Sequence, residues 1–318
     1  MLELAGDFVL CADEVWRLQQ GEDPECLAFR AFADQGHYRG KGGTRQGIYV
    51  VGPGGRLLAS VNSLDPRKVE ATLRRGLEAW EALPAEDRRP AEPTEAAPTH
   101  RWEMSYPEGG LVLLTTVRDL PDDLDPAAPR AVKWNRDHAW FSAAEARGLL
   151  PERLEVGATR AVDEVVVRRL ARCHLVDNVV GQTLPYSEAE VVSAELTSEV
   201  VAVDGDAVRL AFTGATHVSS EGDWHLGQNA WTPRQPWPRG MRTRLVGEAV
   251  WDAAAGRFTA FELVSLGSWW GRTRFNGRKG EGPHGRLGHV LELAPDTPAH
   301  RVAPTFIQVY DADWVRAP

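Results

Sequence analysis

The chain has 318 residues, long enough for one large domain or two ordinary ones, and its 43% hydrophobic and 25% charged residues exclude disordered, collagenous and fibrous classes. Thirty-six basic against 45 acidic residues leave a net charge of −9, which disfavours nucleic acid as a partner. Only three cysteines occur, Cys11, Cys26 and Cys173, none in C-x-x-C spacing, and no stretch reaches the ~18 apolar residues of a membrane span. These counts exclude a disulfide framework, a zinc knuckle and a spanning helix.

Residues 7–83 read as alternating β and α. Phe8 to Ala12 is a short apolar strand, and Pro24 to Gln35 is a helix with Leu27, Phe29, Ala31 and Phe32. A glycine-rich loop from Gly36 to Gly47 leads to the β-branched run Ile48-Tyr49-Val50-Val51. Gly52-Pro53-Gly54-Gly55 turns the chain, and Arg56 to Val61 returns as the partner strand. Asp65 before Pro66 is an N-cap with proline at N1, and Val69, Leu73, Leu77 and Trp80 follow at helical spacing. No charged n-region with an apolar h-region opens the chain, so the cytoplasm is the default compartment. A leader removed upstream of the early Phe8 strand would make it secreted or periplasmic.

Residues 84–100 carry Pro84, Pro90, Pro93 and Pro98 among Glu, Ala and Arg, a solvated linker and the domain boundary. Beyond it lies a domain over 101–318. Leu111 to Val117 is a strand, Ser142 to Leu149 a short helix capped by Ser142, and Thr159 to about Leu175 a longer helix. From Val191 the pattern has period two, with a hairpin at Asp204-Gly205 and a second around Ala253 to Gly256. Arg286 to Leu293 and Thr305 to Tyr310 supply two more strands. The spacing predicts an antiparallel barrel or sandwich.

The stretch Gln46-Gly47-Ile48-Tyr49-Val50-Val51-Gly52-Pro53-Gly54-Gly55-Arg56-Leu57-Leu58-Ala59 resembles the strand, turn and return strand of a thioredoxin-like domain, and Asp65 to Trp80 its final helix. The resemblance covers residues 7–83. It implies a truncated thioredoxin-like α/β domain, so the fold class is α+β: that domain followed by a mainly antiparallel β domain with two or three helices. The strand and helix that carry the family's Cys-x-x-Cys have no counterpart before Phe8, and Arg45-Gln46 occupies the place of its cis-proline. Dithiol chemistry needs a low-pKa thiolate and a resolving partner, so the resemblance implies a redox-inactive scaffold.

Two loops carry the aromatic and basic residues of the second domain. Gly267 to Gly288 holds Trp269, Trp270, Arg272, Arg274, Arg278, Lys279 and Arg286 against one acid, Glu281. Arginine forks and glycine-freed N–H groups suit an anion, and the indoles suit a flat ring. Asp223 to Arg239 holds Trp224, Trp231 and Trp237 with three prolines, a stiff cover for a barrel mouth. A metal or lone-thiol site would draw on His138, Cys173, His174, Asp177 and His289; His289 shares an inward face with Leu287, Leu291 and Leu293. A structural role fits each of these as well: Trp and Cys pack cores, and scattered His residues satisfy local hydrogen bonds. No H-E-x-x-H, P-loop, nucleophile elbow or dinucleotide fingerprint is present.

Two readings follow. In the first, the β domain binds a small anionic or aromatic ligand or a protein partner, with neither nucleic acid nor membrane involved. In the second, the chain is a metal- or thiol-dependent enzyme built on His138, Cys173, His174 and Asp177. The residues name no cofactor and no oligomeric state.

Overall fold

The computed structural model describes the chain except residues 1, 12, 14, 39–43, 90–101, 121–132, 182, 222–236, 274, 275, 279–283 and 311–318. It divides into two compact units, residues 1–100 and 101–318.

The first unit contains α1 (Leu2–Ala5), α2 (Val15–Gln20), α3 (Pro24–Ala33), the antiparallel pair β1 (Ile48–Val51) and β2 (Leu57–Val61), and α4 (Pro66–Glu81). Both long helices start as their sequences dictate. The Asp23 carboxylate accepts from the Cys26 N–H and the Asp65 carboxylate from the Arg67 N–H, each ahead of a proline in the first turn. Phe29, Phe32, Tyr49 and His37 form one aromatic cluster, with ring centroids 5.0–5.8 Å apart. Helix α4 approaches β1 through Gly76, where a Cβ would stand 2.5 Å from Val50 Cγ1. The strand expected over Phe8 to Ala12 is absent from the described residues there. Val9 and Leu10 are 92% and 73% exposed, because a short apolar run without a neighbouring strand has no face to bury. The unit's sheet is therefore the β1–β2 hairpin.

The second unit contains β3 (Leu111–Asp119), β4 (Trp134–Phe141), α5 (Ala143–Gly148), β5 (Thr159–Ala161), α6 (Glu164–Arg169), β6 (Val191–Asp204), β7 (Ala207–Ser220), β8 (Arg239–Asp252), β9 (Arg257–Gly271) and β10 (His284–Leu293). All eight strands join one antiparallel sheet in the order β4-β3-β10-β9-β8-β7-β6-β5. This architecture, mixed helix and antiparallel sheet, matches the expected class at that level; the alternative of two stacked sheets gives way to one. One buried cluster unites Leu113 and Phe141 near one edge of the sheet with Val200, Leu210 and Phe212 towards the other, around Val166, Val167 and Leu170. The sheet therefore coils about α6, and the π-turn Leu170–His174 that follows α6 touches β4 as well as β6 and β7.

Three expectations are corrected. The helix read from Thr159 to Leu175 begins only after Asp163, whose carboxylate caps Val165 N–H; Thr159–Ala161 instead pairs with Thr197–Glu199 of β6. The helix then widens, with the Leu175 N–H reaching Leu170 O. Thr305 to Tyr310 is no strand but a 3₁₀ turn at Ile307–Val309, closed by Tyr310 N–H on Ile307 O. Finally, β9 runs on to Gly271, so Gly267–Gly271 belongs to a strand rather than to a loop.

Candidate ligand site inside the β domain

Alternation along the strands sets the inward face. On β10 it carries Leu287, His289 and Leu291, on β9 Leu263, Ser265 and Trp269, and on β3 Thr115, Val117 and Asp119. His289 stands directly opposite Ser265 on one side and Val117 on the other, and both His289 and Ser265 are fully buried. The Nε2 of His289 lies 3.2 Å from Val176 O. A carbonyl only accepts, so Nε2 carries the proton and Nδ1 is an acceptor. Among the described residues that Nδ1 has no partner, nor have Ser265 Oγ and Thr115 Oγ1.

The π-turn delivers His174 into the same unit. The Trp140 N–H donates to Tyr310 Oη at 3.4 Å, and the same oxygen shares a hydrogen bond of 2.5 Å with His174 Nε2. The His174 Nδ1 is buried without a partner among the described residues, a donor or an acceptor according to the ring's tautomer. Burial pushes His174 down to about 3 and His289 to about 4, and a charge on His289 would further oppose one on His174. Both rings are neutral at pH 7. Native interiors satisfy nearly all their polar groups, so each ring nitrogen and hydroxyl left open here calls for a partner.

Near them sits a buried ion triad. Arg278, 1% exposed at its side chain, donates Nη1 and Nη2 to Asp119 at 2.8 and 2.7 Å, and Nε and Nη2 to Asp177 at 2.8 and 2.6 Å. Asn276 Nδ2 donates to the same Asp177 at 3.0 Å, and the guanidinium lies 4.3 Å over the Trp269 ring. The positive charge of Arg278 is met by two carboxylates inside the protein.

The other residues singled out from the sequence disperse. Trp269 and Trp270 are neighbours on a strand and face opposite sides, so they cannot flank one ring. Each instead lies across the glycine opposite it: a Cβ at Gly285 would stand 2.8 Å from Trp269, and one at Gly240 2.0 Å from Trp270. Arg272 stacks on Trp237 at 4.4 Å. Trp224, Trp231 and Arg274 fall outside the described residues. His138 turns to the face opposite Ala139 and meets His300, Nε2 to Nδ1, at 3.3 Å; burial lowers it to about 4. Asp177 is engaged by Arg278. Among the described residues no three of His, Cys, Asp and Glu are grouped to hold a metal ion. Burial pushes the Cys173 thiol up to about 12, the direction opposite to a nucleophile's needs.

Thr115, Asp119, Ser265, Asn276 and Tyr310 join the buried polar set without having been singled out. Asp137 accepts from the N–H groups of His138 and Thr305, at 2.8 and 3.0 Å, and burial raises it to about 6. Period-two alternation from His289 would have found no more than its own strand. Models of known protein families, curated proteins and solved structures contain no match to this chain.

Proposed function

We propose that the β domain is a binding module for a small, uncharged molecule that carries both a hydrogen-bond donor and an acceptor, taken up beside His289. One observation carries the reading: the open acceptor at His289 Nδ1, on a neutral ring, shares the inward face of one coiled sheet with the open hydroxyls of Ser265 and Thr115, which can donate. A neutral heteroaromatic or amide can satisfy both. An anion is disfavoured, since Arg278 is already neutralised within the protein. The chain has no Cys-x-x-C pair, so we assign its thioredoxin-like segment a redox-inactive role.

The experiment is a thermal-shift panel of pyrazole, acetamide, phenol and indole against phosphate and benzoate, on wild type and Ser265→Ala, beside native mass spectrometry of the purified protein. An uncharged probe should raise the melting temperature of wild type and do so less in Ser265→Ala. Stabilisation by the anions alone, or by nothing in the panel with no co-purified molecule, would overturn the proposal. One equivalent of metal per chain, lost in His174→Ala, would replace it with the metal-dependent reading.

A further inference from the structure

The outward face of β8, β9 and β10 is ordered in lateral rows, because the three strands are in unbroken register there. One row is Glu248, Glu262 and Glu292, all exposed. The next is Val246, Val264 and Val290, with Val246 58% exposed. On the far side of the valines stand Arg244 and Leu266, the latter 59% exposed, and then Arg242. Like charges directly opposite on neighbouring strands are destabilising, yet none of the three glutamates has an ion-pair partner among the described residues. Arg242 and Arg244 have no acidic partner there either. The face thus presents an apolar line with unmatched negative charge along one flank and unmatched positive charge along the other.

We infer that this face is the interface of an isologous dimer, its occupant a second copy of the chain. The charge pattern selects one two-fold axis. An axis lying along the valine row turns the partner end for end along the strands: valine meets valine, and the glutamate row of each copy lies over the Arg242–Arg244 side of the other. An axis along the strands would set glutamate on glutamate. The first arrangement neutralises both flanks and covers the four apolar side chains, as closed two-fold symmetry requires of a self-complementary surface. This inference does not use the interior site, and it stands or falls separately from the ligand-binding proposal.

Sedimentation velocity on the full chain tests it, with two charge-reversal variants at exposed positions, Glu248→Arg with Glu262→Arg, and Arg242→Glu with Arg244→Glu. Wild type should be dimeric. Each variant alone should be monomeric with an unchanged circular dichroism spectrum, and an equimolar mixture of the two should regain the dimer, since their faces are then complementary. A monomeric wild type from micromolar to near-millimolar concentration overturns the inference. So does a dimer that survives in either variant alone, or a mixture that stays monomeric.

Discussion

Arg278→Met removes the cation from between two carboxylates whose side chains are only 4% and 10% exposed, Asp119 and Asp177. Breaking a buried ion pair by deleting one partner costs about 3–5 kcal/mol, because the remaining charge stays desolvated. Here two carboxylates lose the cation they share and a cation–π contact with Trp269 is lost, so the expected destabilisation lies at the upper end, about 5 kcal/mol. That is a large part of the ~5–15 kcal/mol by which domains are stable. The loss should be mostly electrostatic. Arg278→Met combined with Asp119→Asn and Asp177→Asn should therefore recover to within about 2 kcal/mol of wild type. It should also shrink with acid. Without the guanidinium, burial raises the folded pKa of both carboxyls above the unfolded value, so the unfolded chain binds fewer protons and stability is regained as pH falls. Urea unfolding followed by tryptophan fluorescence, from about pH 8 down to about pH 5, reads both effects. A single-variant loss under about 1 kcal/mol, or a triple variant whose losses simply add, would refute the account of the triad as a closed charge unit.

Two further outcomes are expected. Gly76→Ala in α4, a change that gains about 1 kcal/mol in an open helix, should instead cost about 1–3 kcal/mol, since its Cβ would stand 2.5 Å from Val50 Cγ1; a stabilised variant in thermal melts would exclude that close approach. Acid should destabilise the wild type below about pH 6.5. His174 and His289 are depressed to about 3 and about 4, so the unfolded chain binds more protons through that window, and each withdraws about 1.4 kcal/mol per pH unit as pH falls. Asp137, raised to about 6, contributes in the opposite sense and over a smaller shift. Urea titrations across this range should show a shallower slope in His289→Gln, and an unchanged slope would contradict the buried neutral ring.

Local features were legible where the physics is local. Asp65-Pro66 and Ser142 announce their helices, Asp204-Gly205 its hairpin, and the alternation around His289 its inward face. Arg278 was not legible as a buried ion, because its carboxylates are 159 and 101 residues away in sequence and an arginine among other basic residues in a glycine-rich stretch reads as solvated. The opposite facing of Trp269 and Trp270 follows from strand alternation alone, but it is hidden where Gly267 to Gly288 reads as a loop. Thr159–Ala161 reads as the start of a helix because only β6 makes it a strand. The open polar atoms depend on pairings such as Leu291 with Thr115 that no window of sequence contains.

The place of β10 between β3 and β9 has a bearing on how the domain assembles. Strands β6 to β9 are joined in succession and can zip together as local hairpins, whereas β3 pairs at Leu113 with Leu293, a partner made almost at the end of the chain. Contacts of such separation incur their loop-closure entropy before they return any stability, so they slow folding. During synthesis the β3–β4 hairpin must wait, one long edge unmatched, until β10 arrives to seal it to the meander. His289 travels on that closing strand. The interior polar site therefore exists only once β10 has paired on both sides, since His289 meets Ser265 and Val117 through those two pairings.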